Sequence, residues 1–443
     1  RRSGALQCAI FAQAIPREPQ MLRWRIAILV SAAIAISYLD RQTLPVAIKA
    51  ISKDIPLTNV QFSNLQSAFL LAYAFMYAGG GKLADALGTR LGFTVIMIFW
   101  SLACASHGLA LTFTMLAISR FALGMGEGGG FPASTRAVAE WFSVHERATA
   151  MGIINGGTAV GAVVAPPLIA LILTYANWRW IFFATGALGL LWTTWWRASY
   201  FPPAEHPQLT APEREKIPPP ADPSIIATTK KIAWLDLLRF KETWGIVAAK
   251  FLSDAAWYFY LFWLPKYLYD ARNFDIKAVG AVAWIPNAAA GIGCLLGGWF
   301  SSYLVREKFS VNVARKVALG LSAAVMPLIL FVTRAPIAWA IAIFSLAYFG
   351  QQSWSTLVMV LPTDLFPSSV VGAVAGMIGF GGAIGGILFG ELAGNLLDHG
   401  FGYATVFQLA ATFHVVAFLV ILIAVPKVAP LNMAQTPATE SNS

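Results

Sequence analysis

The chain has 443 residues, 58% of them hydrophobic and only 12% charged, with a formal net charge of +10 and a mean hydropathy of +0.65. Soluble domains carry about 25% charged residues, so this composition excludes an ordinary soluble globular protein. It also excludes a nucleic-acid-binding face, because Lys and Arg gather on the cytoplasmic side of the topology below instead of on one surface. Cys8, Cys104 and Cys294 give no disulfide framework, no metal-ligand spacing occurs, and no cofactor is expected.

Residues 1–21 are read as a disordered N-terminal tail. Its apolar patch from Ala9 to Ile15 is too short to cross a membrane, and Met21 stands where a natural start is expected. Apolar runs long enough to cross a bilayer then follow at 24–48, 62–84, 91–109, 113–139, 147–174 and 178–200. Residues 201–242 are rich in Pro and charge and read as a cytoplasmic linker. Six further runs follow at 243–267, 278–303, 315–333, 337–360, 370–396 and 403–425, and a tail at 428–443. The expectation is an all-α membrane protein of twelve transmembrane helices in two pseudo-symmetric halves, 22–200 and 243–427. The even span count and the basic ends place both termini in the cytoplasm.

Six of the ionisable residues inside these spans stand out: Asp40, Arg41, Arg120, Glu127, Lys250 and Asp254. A charge at the centre of a membrane helix costs about 2.5–3.5 kcal/mol, so such groups face a bundle interior or a watery cavity. Asp40 lies roughly 21 Å along its helix, just past the midplane of a hydrocarbon core about 30 Å thick. A short carboxylate cannot snorkel from there. Arg120 and Glu127 share a helical face, and Lys250 and Asp254 are spaced to pair. Each has a plainer alternative: a helix-locking ion pair for Asp40 and Arg41, snorkelling for Arg120, a neutral staple for Lys250 and Asp254. The glycines around Glu127 lack the Lys-Ser/Thr of a phosphate loop, which leaves helix packing as their reading. Pro132, Pro166, Pro167 and Pro286 should bend or break their helices. Tyr38, Tyr73, Asn155, Trp257, Tyr258, Asn287, Gln351 and Gln352 are the expected cavity-lining groups for a polyhydroxylated acid. His414 is expected to be a satisfied helix residue.

Two stretches carry a family resemblance. Gly81-Lys-Leu-Ala-Asp85-Ala-Leu-Gly88-Thr-Arg90 resembles motif A of the major facilitator superfamily, which implies a cytoplasmic gate made by Gly81, Asp85, Gly88 and Arg90. Ala86 stands where that motif usually has a basic residue. Ser37-Tyr-Leu-Asp-Arg41, Ser119-Arg-Phe-Ala-Leu-Gly-Met-Gly-Glu127 and Glu140-Trp-Phe-Ser-Val-His-Glu-Arg-Ala148 are similar to the anion:cation symporter family within it. Lys250-Phe-Leu-Ser-Asp-Ala-Ala-Trp257 is similar to its bacterial hexuronate branch. The resemblance implies a secondary transporter of the bacterial inner membrane, not an enzyme, carrying an organic anion such as a sugar acid with protons, as a monomer. On that reading Asp40 and Glu127 couple the proton. Arg41, Arg120 and Lys250, with Asp254 beside them, meet the substrate carboxylate. The alternatives are a drug/proton antiporter of the same fold and a non-transporting membrane sensor.

Overall fold

The structure is a computed structural model that describes residues 22–215, 217, 237–366 and 368–431. The N-terminal tail, the far tail from 432 onward and the centre of the linker lie outside the described residues. So do the side chains of 77–86, which include Gly81 and Asp85. Among the described residues there is no strand, and twelve spans are present. Seven of the spans are apolar and long enough to cross a membrane on composition alone.

Span 1 is Leu22–Asp54. Spans 2 and 3 run as one stretch, Asn59–Ser106, turned at Gly88. Gly88 has φ 74°, a left-handed conformation that a side chain disfavours. Span 4 is Phe113–Gly128 continued by Gly130–Trp141. Span 5 is Val144–Tyr175, and span 6 is Arg179–Ser199. In the second half, span 7 is Lys241–Asp270, and span 8 is Ile276–Val282 continued by Trp284–Arg306. Span 9 is Val311–Ala324, ending in a 3-10 turn over Met326–Phe331. Spans 10 to 12 are Ile337–Leu365, Ser368–Asp398 and Gly402–Ala424.

Two expected prolines act as proposed, each interrupting its span three residues upstream. The break at Gly129 precedes Pro132, and the break at Ala283 precedes Pro286. Proline offers no N–H to the preceding turn, so the helix restarts there. Pro166 and Pro167 remain inside the continuous helix of span 5.

The two halves pack by the same rule. Span 1 lies on span 5 as span 7 lies on span 11, and span 4 lies on the Asn59–Ser106 stretch as span 10 lies on span 8. Between halves, span 2 meets span 11 and span 5 meets span 8. Glycine makes these approaches close. A Cβ at Gly161 would meet the Ala35 carbonyl, and one at Gly385 would meet the Phe251 carbonyl. Gly124 and Gly126, from the glycine-rich run, press on the backbones of Phe69 and Trp100. Close backbone approach is what holds helices together where lipid removes the hydrophobic drive.

The linker departs from a plain connector. Residues 201–215 fold back on the first half. Glu213 accepts the backbone N–H of Arg23 at 3.1 Å, and the His206 ring meets Trp141 edge-on at 5.4 Å.

Candidate functional site

Span 1 supplies the first half of the site. Pro45 aside, it is helical throughout, so consecutive residues point about 100° apart. That separates Asp40 from Arg41. The Arg41 Nε donates to Glu127 Oε2 of span 4 at 2.7 Å, and Ser37 Oγ donates to the same oxygen at 2.6 Å. The guanidinium lies 4.6 Å from the ring centroids of both Tyr38 and Tyr73, a cation–π sandwich. One terminal nitrogen of Arg41 and Oε1 of Glu127 have no hydrogen-bond partner. The pair is therefore only half satisfied, with donor and acceptor capacity left over.

Asp40 faces the other way, into the first half. Trp100 Nε1 donates to it at 2.6 Å, and Cys104 Sγ lies 3.4 Å away. It pairs with neither Arg41 nor Arg120, and it is 1% exposed. Asp40 thus enters no ion pair among the described residues, whereas Arg41 joins span 1 to span 4 through Glu127, as a helix-locking ion pair would.

Arg120 is fully buried, so it does not snorkel. One terminal nitrogen donates to Gln66 Oε1 at 3.1 Å and to the Arg41 carbonyl at 3.4 Å, while Nε and the other terminal nitrogen lack acceptors. The guanidinium lies 5.4 Å from the Phe69 ring.

In the second half, Lys250 Nζ bridges to Asp254 at 3.0 Å and donates to Ser355 Oγ at 2.7 Å. The staple is present. Gly382 of span 11 leaves the room for Asp254, since a Cβ there would collide with its carboxylate. Tyr258 comes within electrostatic range of Arg41, Tyr38 and Tyr73, and Tyr38 within range of Asp254, so both halves converge on one region.

The other nominated residues divide. Gln351 does not line a cavity: it is fully buried, bonded to Asp254 on one side and His414 on the other. His414, expected as a satisfied helix residue, is satisfied on one side: its Nε2 meets Gln351, and its Nδ1 is buried without a partner. Trp257 stands edge-on to Tyr348 inside the second half, 5.3 Å away. Asn287 donates to the Ala283 carbonyl and keeps an unpartnered Oδ1. Asn155 is exposed, and Gln352 is half-buried. Of the gate motif, Arg90 donates to the Arg197 carbonyl at 2.6 Å and stacks on Phe201 at 3.8 Å.

One carboxylate escaped the sequence reading. Glu391 lies in span 11, where it accepts from Ser67 Oγ at 2.5 Å and, with its amide turned, from Asn64 at 2.8 and 3.1 Å. Seven residues on, Asp398 accepts the Asn59 and Val60 backbone N–H groups at 3.0 and 2.9 Å and the Asn59 side chain at 2.8 Å. All these bonds cross between halves. The signal was available, because Glu391 stands inside the apolar run 370–396.

These crossings sit at the end of the molecule opposite the linker. There too the Tyr269 hydroxyl reaches the Val46 carbonyl at 2.7 Å and Lys49 reaches the Phe274 carbonyl at 3.1 Å. A Cβ at Gly280 would strike Ala170, and one at Gly291 would strike Ala159, further toward mid-span. The halves are thus sealed together at the far end, below the Arg41–Glu127 pair.

The sequence matches the family model described as Major Facilitator Superfamily over residues 30–390. It is 30% identical over 424 residues to the hexuronate transporter of Escherichia coli (strain K12), covering 95% of this chain and 98% of that one. It is 33% identical over 308 residues to the galacturonate transporter of Dickeya chrysanthemi, covering 69% and 89%. Among solved structures, an inward-facing, unoccupied bacterial homolog of the human lysosomal transporter Spinster superposes with a TM-score of 0.70 at 17% identity, over 91% of this chain and 96% of that one.

Proposed function

This chain belongs to the major facilitator superfamily, and from that premise we propose that it is a proton-coupled symporter of a sugar acid, a hexuronate or a close relative. It is a membrane transporter, as its relatives are. The observation that carries the finer reading is the half-satisfied Arg41–Glu127 pair between two tyrosines. While Glu127 is ionised it occupies Arg41. A proton on Glu127 weakens that grip and frees the guanidinium fork for a substrate carboxylate, which it can hold through two parallel bonds. Substrate and proton then favour each other's binding, the requirement for symport. Asp40, held by Trp100 of span 3, is proposed as a second proton-binding carboxylate. Lys250 is the proposed cation of the second half, and the tyrosine hydroxyls address the sugar. With the linker end in the cytoplasm of a bacterial plasma membrane, the sealed far end closes the site toward the outside.

The test is uptake into proteoliposomes under an imposed pH gradient. Glu127→Gln is expected to lose proton-driven accumulation while keeping substrate exchange, because the amide preserves shape and cannot titrate. Unchanged pH-driven uptake in both Glu127→Gln and Asp40→Asn removes the coupling role from these carboxylates.

A further inference from the structure

A line of four polar side chains runs from the central region into the sealed interior of the second half. Lys250 meets Asp254 Oδ1 at 3.0 Å on span 7. The Gln351 Nε2 of span 10 donates to the same oxygen at 3.3 Å. The Gln351 Oε1 meets His414 Nε2 of span 12. Gln351 and His414 are both fully buried, and the His414 ring lies against Trp354, 5.6 Å away.

Chemistry fixes the direction of this line. An amide oxygen only accepts, so His414 carries its proton on Nε2 and donates. Its Nδ1 is buried without a partner, as suits the bare nitrogen of a neutral imidazole. With the oxygen of Gln351 committed to His414, only its NH2 can face Asp254. Without His414 the amide is held at one end only, by the carboxylate, and is free to shift along span 10.

We propose that His414 is a positioning residue for transport: acting through Gln351, it sets the Asp254 carboxylate and so aims the Lys250 ammonium at the substrate anion. This rests on the reading of Lys250 as an anion-binding group. In the first half the orienting group is adjacent: Ser37 donates to the same Glu127 oxygen that Arg41 holds. In the second half the orienting group stands two side chains away from the cation, on a span that supplies no other group to the site.

The experiment compares the KM and Vmax for a hexuronate in proteoliposomes. His414→Phe keeps an aromatic ring against Trp354 and removes the donor, and is expected to raise KM about 3- to 10-fold, the worth of one lost hydrogen bond, with Vmax little changed. His414→Gln keeps a donor and is expected to return KM toward wild type. In the Lys250→Gln/Asp254→Asn background, His414→Phe is expected to leave KM where that background puts it. An equal rise in both backgrounds makes His414 a packing residue and overturns the proposal, as does an unchanged KM in the single variant. If the Phe variant does not fold, a Gln variant that folds but raises KM as much in the doubly neutral background as in the wild type overturns it equally. A wild-type KM for Lys250→Gln/Asp254→Asn itself sinks the anion reading of the pair along with the inference. Failure at His414 alone leaves that reading standing.

Discussion

Arg41 and Lys250 are both buried cations with carboxylate partners, but they are held to different degrees. Lys250 is engaged by Asp254 and Ser355, whereas Arg41 keeps a terminal nitrogen unpartnered beside two aromatic faces. A charge-assisted hydrogen bond contributes about 1.5–3 kcal/mol. Arg41→Gln is therefore expected to weaken sugar-acid binding roughly tenfold or more, and Lys250→Gln by less, as read by calorimetry on purified, folded protein. Wild-type binding by Arg41→Gln, with none by Lys250→Gln, would reverse the ranking. At this scale the sequence was legible where depth and charge decide. It placed ionisable residues in the interior because lipid excludes them. It could not tell which way Asp40 and Arg41 point, since adjacent residues share a depth and differ only in azimuth. Gln351 misled for the same reason: an amide inside a span satisfies a cavity and a neighbouring His414 equally well, and only packing chooses.

At the level of helices, spans 2 and 11 carry the most specific contact between halves. Span 11 presents Glu391 and Asp398 on one face, two turns apart, and span 2 answers with Asn64, Ser67 and its own N-terminus. An anion at a helix N-terminus contributes about 0.3–1 kcal/mol. Asp398→Asn removes that charge and should shift the population toward the far-open state about two- to fivefold. The check is a single cysteine at Ser63, in the seam, in a background lacking Cys8, Cys104 and Cys294. An impermeant thiol reagent added from the far side should label it faster in the Asp398→Asn variant, and an unchanged rate would remove Asp398 from the gate. Span positions followed from apolar run length. Span ends did not, because helices such as Leu22–Asp54 and Asn59–Ser106 continue beyond the hydrocarbon on residues whose hydropathy no longer distinguishes helix from loop.

For the whole molecule, spans 2 with 11 and 5 with 8 pair symmetrically between the two halves, around the region holding Arg41 and Lys250. Its orientation in the membrane is open to direct measurement. Cysteines introduced at Ser224 and Ser441 are expected to label from the cytoplasmic side alone, and one at Asn59 from outside alone. Labelling of Ser224 from outside intact cells contradicts the orientation. The two-half architecture was readable from span count and linker position. The folding of 201–215 onto the first half was not, because Glu213 and His206 find their partners, Arg23 and Trp141, far away in sequence.

The pairing of opposite charges in the central region has an electrical consequence. Arg41, Arg120 and Lys250 are matched in number by Asp40, Glu127 and Asp254, so with all six ionised the empty site carries no net charge. The membrane voltage then neither drives nor brakes the return of the empty carrier. It acts only on the loaded step. A monoanion travelling with one proton is invisible to the field, and each further proton makes inward movement favourable by about 2.3 kcal/mol per 100 mV. For the symport proposed above, the response of uptake to an imposed potential, at fixed pH on both sides, therefore counts the protons.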